Sequence, residues 1–164
     1  MVYLTQEARK GLWNFIRAHY SMIDAVKGHI YTGEPLAFLL DESQIQETIE
    51  PYFMARIVDV AQFLRLYPFE GSIRPFHFVV TDPMAEWNNG IFSVATDREG
   101  TVSVTDEPAG KAVELDIQTL SAMLMGYKRP SYLARIERLH TDKRTLRLLE
   151  EIIPAGQPYF SDYF

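Results

Sequence analysis

The chain has 164 residues, of which 47% are hydrophobic and 23% charged, a balance typical of a globular protein with its own core. The net charge of −6 argues against a general nucleic-acid binder and favours cationic partners. The lack of cysteine excludes disulfides and thiolate chemistry, and no apolar run reaches the ~20 residues of a membrane helix. Because no signal-peptide pattern follows Met1, we expect a cytoplasmic protein without membrane contact.

The first fifty residues predict one amphipathic helix followed by a strand. Thr5 is a good helix cap, and apolar residues recur at helical spacing after it, so a helix is predicted over residues 6–20. Residues 22–31 mix β-branched and polar side chains and predict a strand. A short helix is expected around residues 36–40, and the polar residues 41–48 are expected to form a connector.

Residues 51–68 predict a strand and then a helix. Residues 51–59 are mostly apolar on both faces apart from Arg56, as in strands that are covered on both sides. Asp59 can cap the helix that follows, and Pro68 should end it.

Residues 73–117 contain short strand-like runs that are separated by turn residues. The short connections predict an antiparallel meander in which one face of the sheet is buried. The four predicted strands cover residues 73–81, 91–96, 101–105 and 112–117.

In the final third of the chain, apolar residues again recur at helical spacing. Asp116 can cap a helix that ends at Gly126, Pro130 can open a second helix extending to Leu139, and Asp142 can cap a third. The predicted fold class is therefore α+β, a mostly antiparallel sheet with helices packed on it.

Two segments could carry a binding function, although a structural interpretation is favoured for each. The loop 82–90 is either a binding edge built around Trp87 or a hairpin connection whose Trp covers the core. Residues 128–147 hold seven basic and two acidic residues. These form either a contact site for a phosphate group or a partner, or simply the solvated faces of two helices. The four histidines are scattered, and no metal site is predicted.

The last seven residues, 158–164, include four aromatic side chains. Such a tail is expected to dock into a groove rather than fray, either simply to close a core or to hold the α-carboxylate of Phe164 at a fixed point.

A series of short motifs in order along the chain resembles the C-terminal part of the enhanced-intracellular-survival (Eis-like) acetyltransferases. This family has two tandem GNAT folds followed by a sterol-carrier-protein-like domain. The resemblance implies that residues 1–50 close the central GNAT fold and that residues 51–164 form the sterol-carrier-like domain. The motifs are EPYFMARIVDV at 50–60 with Phe63-Leu64, NNGIF at 88–92, LDI at 115–117 with LSA at 120–122 and Gly126, and the final Asp162-Tyr163-Phe164.

The resemblance also implies a role for the tail. In this family a Q/R-x-x-G-x-G/A loop of the first GNAT fold binds acetyl-CoA, and the terminal carboxylate acts as general base. That loop motif is absent here, so this chain is expected to be a C-terminal fragment that binds no cofactor and is inactive alone. Phe164 stands at the position of the base, and Asp162 and Tyr163 are implied to shape a pocket for a cationic amine, of aminoglycoside or lysine type. Tyr163 departs from relatives with an acidic residue there. The implied partners are upstream GNAT domains of the same chain and further copies in a homo-oligomer.

Two other functions remain open for the sterol-carrier-like region. It could bind lipid in a tunnel, although a filled core is favoured, or it could be a structural and oligomerisation module. The side chains that could line a tunnel are Phe76, Phe78, Val80, Phe92, Leu120, Met123 and Leu124.

Overall fold

A computed structural model describes residues 3–30, 36–40, 45–50, 53–96, 100–158 and 160. The chain separates into two compact units, Met1–Glu50 and Pro51–Phe164.

The first unit is built on one helix, α1, at Gln6–Ala18. The hydroxyl of Thr5 accepts a hydrogen bond from the Ala8 N–H at 3.1 Å, so the predicted cap is confirmed. No residue of α1 is buried, and Phe15 is 66% exposed. In the described part of the chain the apolar face of this helix is therefore only partly covered, whereas packing of that face normally stabilises an amphipathic helix.

The strand predicted over residues 22–31 is wrong for the described part of that range. Short 3₁₀ turns occupy Tyr20–Met22 and Ala37–Leu39, and residues 23–30 have no regular structure. A strand requires a partner for its backbone hydrogen bonds, and the described residues of this unit offer none. Residues 41–44 of the predicted connector lie outside the described residues.

The second unit confirms the α+β prediction, with a five-stranded sheet and helices that share one core. Its helices are α2 (Val60–Leu66), α3 (Ile117–Leu124), α4 (Pro130–Arg135) and α5 (Lys143–Ile152), with a 3₁₀ turn at Glu86–Asn88. Its strands are β1 (Phe76–Thr81), β2 (Gly90–Thr96), β3 (Val102–Thr105), β4 (Lys111–Asp116) and β5 (Leu139–His140). Asp59, Asp116 and Asp142 cap α2, α3 and α5 as predicted.

The order of strands in the sheet is β3-β2-β1-β4-β5, which corrects the predicted simple meander. The meander is present from β1 to β3, but β4 returns to pair with the other side of β1 in the parallel direction. A parallel pair needs a long crossover, and here the β2–β3 hairpin supplies it. The remaining pairs are antiparallel, so the sheet is mostly antiparallel as expected.

Alternate strand residues point into a core that the helices complete. Phe76 and Phe78 of β1 are almost fully buried, and the helices contribute Leu120 and Met123 of α3 and Leu149 of α5 to the same cluster. The side chains suggested for a lipid tunnel belong to this cluster or pack against it. Their packing supports the favoured interpretation of a filled core.

The strand predicted over residues 51–59 is also wrong for its described part. Residues 53–59 form no strand, and side chains rather than another strand satisfy the backbone, since the Ile57 N–H donates to Ser121 Oγ at 3.1 Å. Ile57 is buried, but Met54 is fully exposed, so the segment is not covered on both faces.

Two helices end in the same backbone motif with different residues in the left-handed position. After α3, Gly126 has φ +76°, and after α4, Glu137 has φ +60°. In both, the next N–H bonds back to the carbonyl five residues earlier, as Arg138 does to Leu133 at 2.9 Å. This ending stops α4 at Arg135, whereas the sequence predicted a helix extending to Leu139, which lies in β5.

Replacing Glu137 with Gly is expected to stabilise the protein by ~0.5–1 kcal/mol. A left-handed L residue costs ~1–2 kcal/mol, and the extra freedom of an unfolded glycine offsets part of the gain. Urea unfolding measures the difference, with Glu137→Ala as the matched control because it removes the carboxylate and keeps Cβ. Equal stability of the Gly and Ala variants would show that the backbone at 137 is unstrained.

Candidate functional site

The three residues predicted to act at the active site, Asp162, Tyr163 and Phe164, lie outside the described residues. The structure does describe where the tail leaves the second unit. The ring of Phe160 packs on that of Phe53, with centroids 5.3 Å apart, and both side chains are about two-fifths exposed, at 39% and 44%. The expectation that the tail packs is therefore met at Phe160, and Tyr159 lies outside the described residues.

The backbone of residues 150–156, which leads to the tail, is held by contacts with Arg129 and Gly126. The Arg129 guanidinium donates to the carbonyls of Glu150, Ile153 and Pro154 at 2.6–3.1 Å. Gly156 lies so close to Gly126 that a Cβ on Gly126 would come within 2.3 Å of the Gly156 carbonyl oxygen. The C-terminal residues thus start from a rigid point beside the end of α3.

A buried polar network lies under the loop 82–90. The Asp82 carboxylate is buried, and both of its oxygens accept from the Arg56 guanidinium at 2.6 Å. Asn88, also buried, donates to Asp82 at 2.9 Å and to the Val58 carbonyl at 3.0 Å, and it accepts from the Val60 N–H at 3.1 Å. The network therefore joins the 53–59 segment, the first turn of α2 and the loop.

The pKa of Asp82 falls from its ordinary value to about 2. Burial alone would raise this pKa, but hydrogen bonds from Asn88, the Met84 N–H, Arg56 and the Ala85 N–H outweigh burial. The charged form is the one that the fold stabilises. The network is a structural ion pair rather than a proton donor or acceptor at neutral pH.

This lowered pKa makes a prediction for acid stability. In the unfolded chain an Asp titrates near ~3.9, so the contribution of Asp82 is complete above that pH and is lost as the pH falls towards 2. Asp82→Asn should therefore lose stability at pH 7 and show a shallower decline between pH 4 and pH 2. Urea unfolding across that range measures both, with Asp106→Asn as an exposed control. If the free energy of unfolding depended on pH in the same way for wild type and Asp82→Asn, the lowered pKa of Asp82 would be contradicted.

Trp87 does not cover the core, which corrects the favoured interpretation of its loop. Its side chain is 67% exposed, and its indole N–H donates to the Val58 carbonyl at 2.8 Å. The core behind the loop is closed by Ala85 and Asn88 instead. Gly90 has φ +147°, which confirms that the turn needs a glycine there.

The basic residues of 128–147 divide into two groups. Arg129 and Arg138 are structural, since they pair with Glu150 and Asp116 at 2.7 Å. The others make no salt bridge within the described part of the chain, and all but the half-buried Lys128 are exposed. These five residues are Lys128, Arg135, Lys143, Arg144 and Arg147.

An open cleft of about 320 Å³ lies at the β4–β5 edge of the sheet. Asp116, Glu137, Arg138 and His140 line it, and the Arg138–Asp116 pair crosses it. Burial opposes ionisation of Asp116, but hydrogen bonds from Thr119 and the charge of Arg138 keep its pKa below the ordinary value. The charges of Arg138 and Asp116 therefore neutralise each other.

Neither a metal nor a membrane is indicated by the described residues. Across these ranges no three His, Asp or Glu side chains are grouped so that they could hold a metal ion. In the same part of the chain, no helix has the length and apolar character needed to span a bilayer.

Comparison with known families divides the chain near the boundary between its two units. Residues 60–161 match the sterol carrier protein domain, and residues 1–57 match an acetyltransferase (GNAT) domain. Among curated proteins, no sequence matches the chain.

Solved structures of longer proteins resemble nearly the whole chain. A protein of Enterococcus faecalis V583 described as a probable N-acyltransferase is 32% identical, with a TM-score of 0.81 over 99% of this chain and 42% of that one. A GCN5-related N-acetyltransferase from Anabaena variabilis ATCC 29413 is 28% identical, with a TM-score of 0.75 over 96% and 40%. Eis1 from Mycobacterium abscessus shares the fold at 22% identity, with a TM-score of 0.68 over 99% and 41%.

The chain thus spans about two-fifths of the length of the structures that it matches. Its sheet and helices occur in N-acyltransferase structures, and its family match extends over more than half of its residues. The chain therefore belongs to the sterol carrier protein domain family.

Proposed function

We propose that this chain is the C-terminal region of an Eis-like N-acetyltransferase that transfers the acetyl group of acetyl-CoA to an amine. In this proposal residues 1–50 complete a GNAT fold, and residues 51–164 form the sterol-carrier-like domain that holds the tail. Acetyl-CoA binds to the upstream GNAT region, and the chain alone is inactive. The protein works in the cytoplasm.

The observation that carries the proposal is the adjacency of the two family matches. A GNAT match at 1–57 precedes the sterol carrier match at 60–161, and the 32% identical relative, which covers 99% of this chain, is described as a probable N-acyltransferase. The exposed apolar face of α1 adds a physical argument, because Leu12 and Phe15 are 38% and 66% exposed. Further parts of a GNAT fold would cover that face.

The tail supplies the general base in this proposal. An amine arrives as an ammonium ion and must lose a proton before it attacks the thioester, and a carboxylate within hydrogen-bond reach can take that proton. An α-carboxyl group with an ordinary pKa of ~3.5 is ionised at neutral pH. Phe164 lies four residues after Phe160, and four residues can span at most ~14 Å, so the packing of Phe160 on Phe53 limits where the base can act.

Asp162 and Tyr163 are proposed to line the acceptor pocket beside this carboxylate. The negative charge of Asp162 suits a cationic amine, whereas Tyr163 adds an aromatic face that can contact an ammonium group. An aminoglycoside-type amine and a lysine amine both fit this chemistry.

Acetyl transfer by the protein expressed from its whole reading frame tests the proposal. We expect that protein to consume acetyl-CoA in the presence of an aminoglycoside or a lysine-containing peptide as acceptor, while residues 1–164 alone show no turnover. Turnover by the isolated chain, or an upstream frame that encodes no GNAT fold, would overturn the proposal.

A structural role is compatible with this function and is the second candidate. The rigid attachment of the tail through Arg129 and Gly126 suits a domain that positions the carboxylate and mediates a homo-oligomer. Lipid binding is less favoured because the side chains suggested for a tunnel pack together in the core.

A further inference from the structure

The C-terminal end of α5 is capped by a side chain from outside the helix. The last four carbonyls of an α-helix have no partner within it. In α5, the Ile152 carbonyl accepts from the Glu70 N–H at 2.8 Å, and the Glu150 carbonyl accepts from Arg129 Nη2 at 2.6 Å. Arg129 immediately precedes α4, so α5 ends in an interaction with the start of another helix. A guanidinium suits this place because a cation is favoured at the negative end of the helix dipole.

The same guanidinium also holds the first residues after α5. Its Nη1 donates to the carbonyls of Ile153 and Pro154 at 2.9 and 3.1 Å. Ile153 is buried and has an extended backbone (φ −89°, ψ 118°), so the chain turns out of the helix at this residue. One side chain therefore fixes both the helix end and the direction in which the chain leaves it. Lysine lacks this fork of donors and cannot make the same set of bonds.

The Glu150 side chain orients this guanidinium. Its Oε2 lies 2.8 Å from Nε and 2.7 Å from Nη2 of Arg129, and its Oε1 accepts from the Ser131 N–H at 2.7 Å. The Ser131 N–H belongs to the first turn of α4, where backbone donors have no partner within the helix. Both carboxylate oxygens are thus tied to the start of α4. Charge-assisted bonds of this kind are the strong ones, so the guanidinium is held in one orientation.

We propose that Arg129 is a positioning residue for the terminal carboxylate of Phe164 and acts through the backbone of residues 150–156. This inference deepens the proposed function and rests on it for the role of that carboxylate. Phe164 lies ten residues after Pro154, and ten residues can span at most ~36 Å, so the direction of the chain at Pro154 limits the region that the carboxylate reaches. A base acts only within hydrogen-bond distance, and a displacement of about 1 Å that originates far from the chemistry can cost a large factor in rate.

Steady-state kinetics of the intact acetyltransferase test the proposal with two substitutions of Arg129. We expect kcat to fall at least about tenfold in Arg129→Gln, which loses the charge and the fork of donors. Arg129→Lys keeps a charge beside Glu150 and should recover part of that loss. The KM for acetyl-CoA should stay unchanged in both. The midpoint of the acid limb of the kcat–pH profile should also stay unchanged, because Arg129 acts on the position of the base and not on its pKa.

Two control variants separate positioning from a general loss of stability. Asn88→Ala removes buried hydrogen bonds of the same unit that do not involve residues 150–156, so its kcat should equal that of wild type at a temperature at which both are folded. Gly156→Ala adds a Cβ that meets no atom within 4 Å and should also leave kcat unchanged. In contrast, Gly126→Ala places a Cβ 2.3 Å from the Gly156 carbonyl oxygen, so it displaces the segment and should lower kcat.

Hydrogen exchange of residues 150–158 reports on the segment without any need for activity. The amides of Ile153 and Gly156 donate to the carbonyls of Leu149 and Pro154, each at 3.1 Å, and exchange slowly only while the segment keeps its place. We expect these two amides to exchange at least about tenfold faster in Arg129→Gln than in wild type. Asn88→Ala should not accelerate them selectively.

Three results would overturn the proposal. These are amide exchange that Arg129→Gln leaves unchanged, a kcat that falls as much in Asn88→Ala as in Arg129→Gln, and faster exchange with a wild-type kcat. An enzyme lengthened by one glycine after Phe164 distinguishes this failure from failure of the proposed function. If that glycine lowers kcat and Arg129→Gln does not, the terminal base stands and only the positioning role falls. If that glycine leaves kcat unchanged, the base role fails and the positioning role fails with it.

Discussion

Replacing Asn88 with Ala should lower the free energy of unfolding by about 2–4 kcal/mol. Asn88 is fully buried and is the acceptor for the Val60 N–H, at the start of α2, and a donor to the Asp82 carboxylate. Alanine leaves the buried Val60 N–H without an acceptor, which costs ~1–3 kcal/mol, and it also removes one of the several hydrogen bonds to the charged Asp82 carboxylate, which adds to the loss. Denaturant unfolding with an unchanged m-value measures the effect.

The adjacent Asn89 provides the matched control. Asn89 also makes hydrogen bonds, to the backbone N–H and carbonyl of Asp82 at 2.7 Å, but its side chain is exposed and water can replace it. Asn89→Ala is therefore expected to cost only ~1 kcal/mol. If Asn88→Ala and Asn89→Ala lowered the free energy of unfolding by similar amounts, burial would not be the reason that the Asn88 hydrogen bonds are strong.

Adding one glycine after Phe164 should reduce kcat of the intact acetyltransferase by ~10²–10⁴-fold. A general base contributes about that factor, and the extra residue moves the carboxylate away from the place where the amine loses its proton. Deleting Phe164 should have a similar effect. The KM for acetyl-CoA should change little, since we propose that the cofactor site lies in an upstream GNAT region. Steady-state kinetics with acceptor and cofactor varied separately distinguish these effects.

A substitution that leaves the carboxylate in place serves as the control for the tail. Phe160→Leu keeps the chain length and a large apolar side chain against Phe53, so we expect a loss of kcat far smaller than that caused by the added glycine. If that glycine leaves kcat unchanged, the terminal carboxylate is not the base.

The sequence predicted best where local chemistry decides the structure. Asp59, Asp116 and Asp142 each cap the helix expected of them, because a side chain that accepts from an N–H two or three residues ahead needs no distant partner. Gly126 adopts the left-handed conformation for the same local reason. Strands β1 to β4 were also placed within a few residues, since alternation records which face is buried, whereas β5 was predicted as the end of a helix.

Predictions that depended on residues distant in the sequence were less accurate. Residues 23–30 and 53–59 have the composition of strands but pair with no strand in the described part of the chain. The parallel pairing of β4 with β1 depends on the whole β2–β3 hairpin, which no short window of sequence reveals. Trp87 was expected over the core, but the buried position belongs to Asn88, whose backbone partners Val60 and Val58 are 28 and 30 residues away.

The Arg56–Asp82 pair was missed for the same reason, although one indication was present. Arg56 is the single charge between Glu50 and Asp59 in an otherwise apolar stretch. Such a charge needs a partner when its surroundings are buried. The partner, 26 residues further along the chain, is evident only once the loop 82–90 lies over the segment.

In the proposed mechanism, the α-carboxylate of residue 164 takes the proton from the amine. The most direct measurement compares the intact enzyme with a semisynthetic form whose Phe164 ends in an α-carboxamide, which preserves length and side chain and removes only the charge. We predict a fall in kcat of at least about a hundredfold, with the KM for acetyl-CoA unchanged. A carboxamide enzyme that turns over within about twofold of the carboxylate form would contradict the claim.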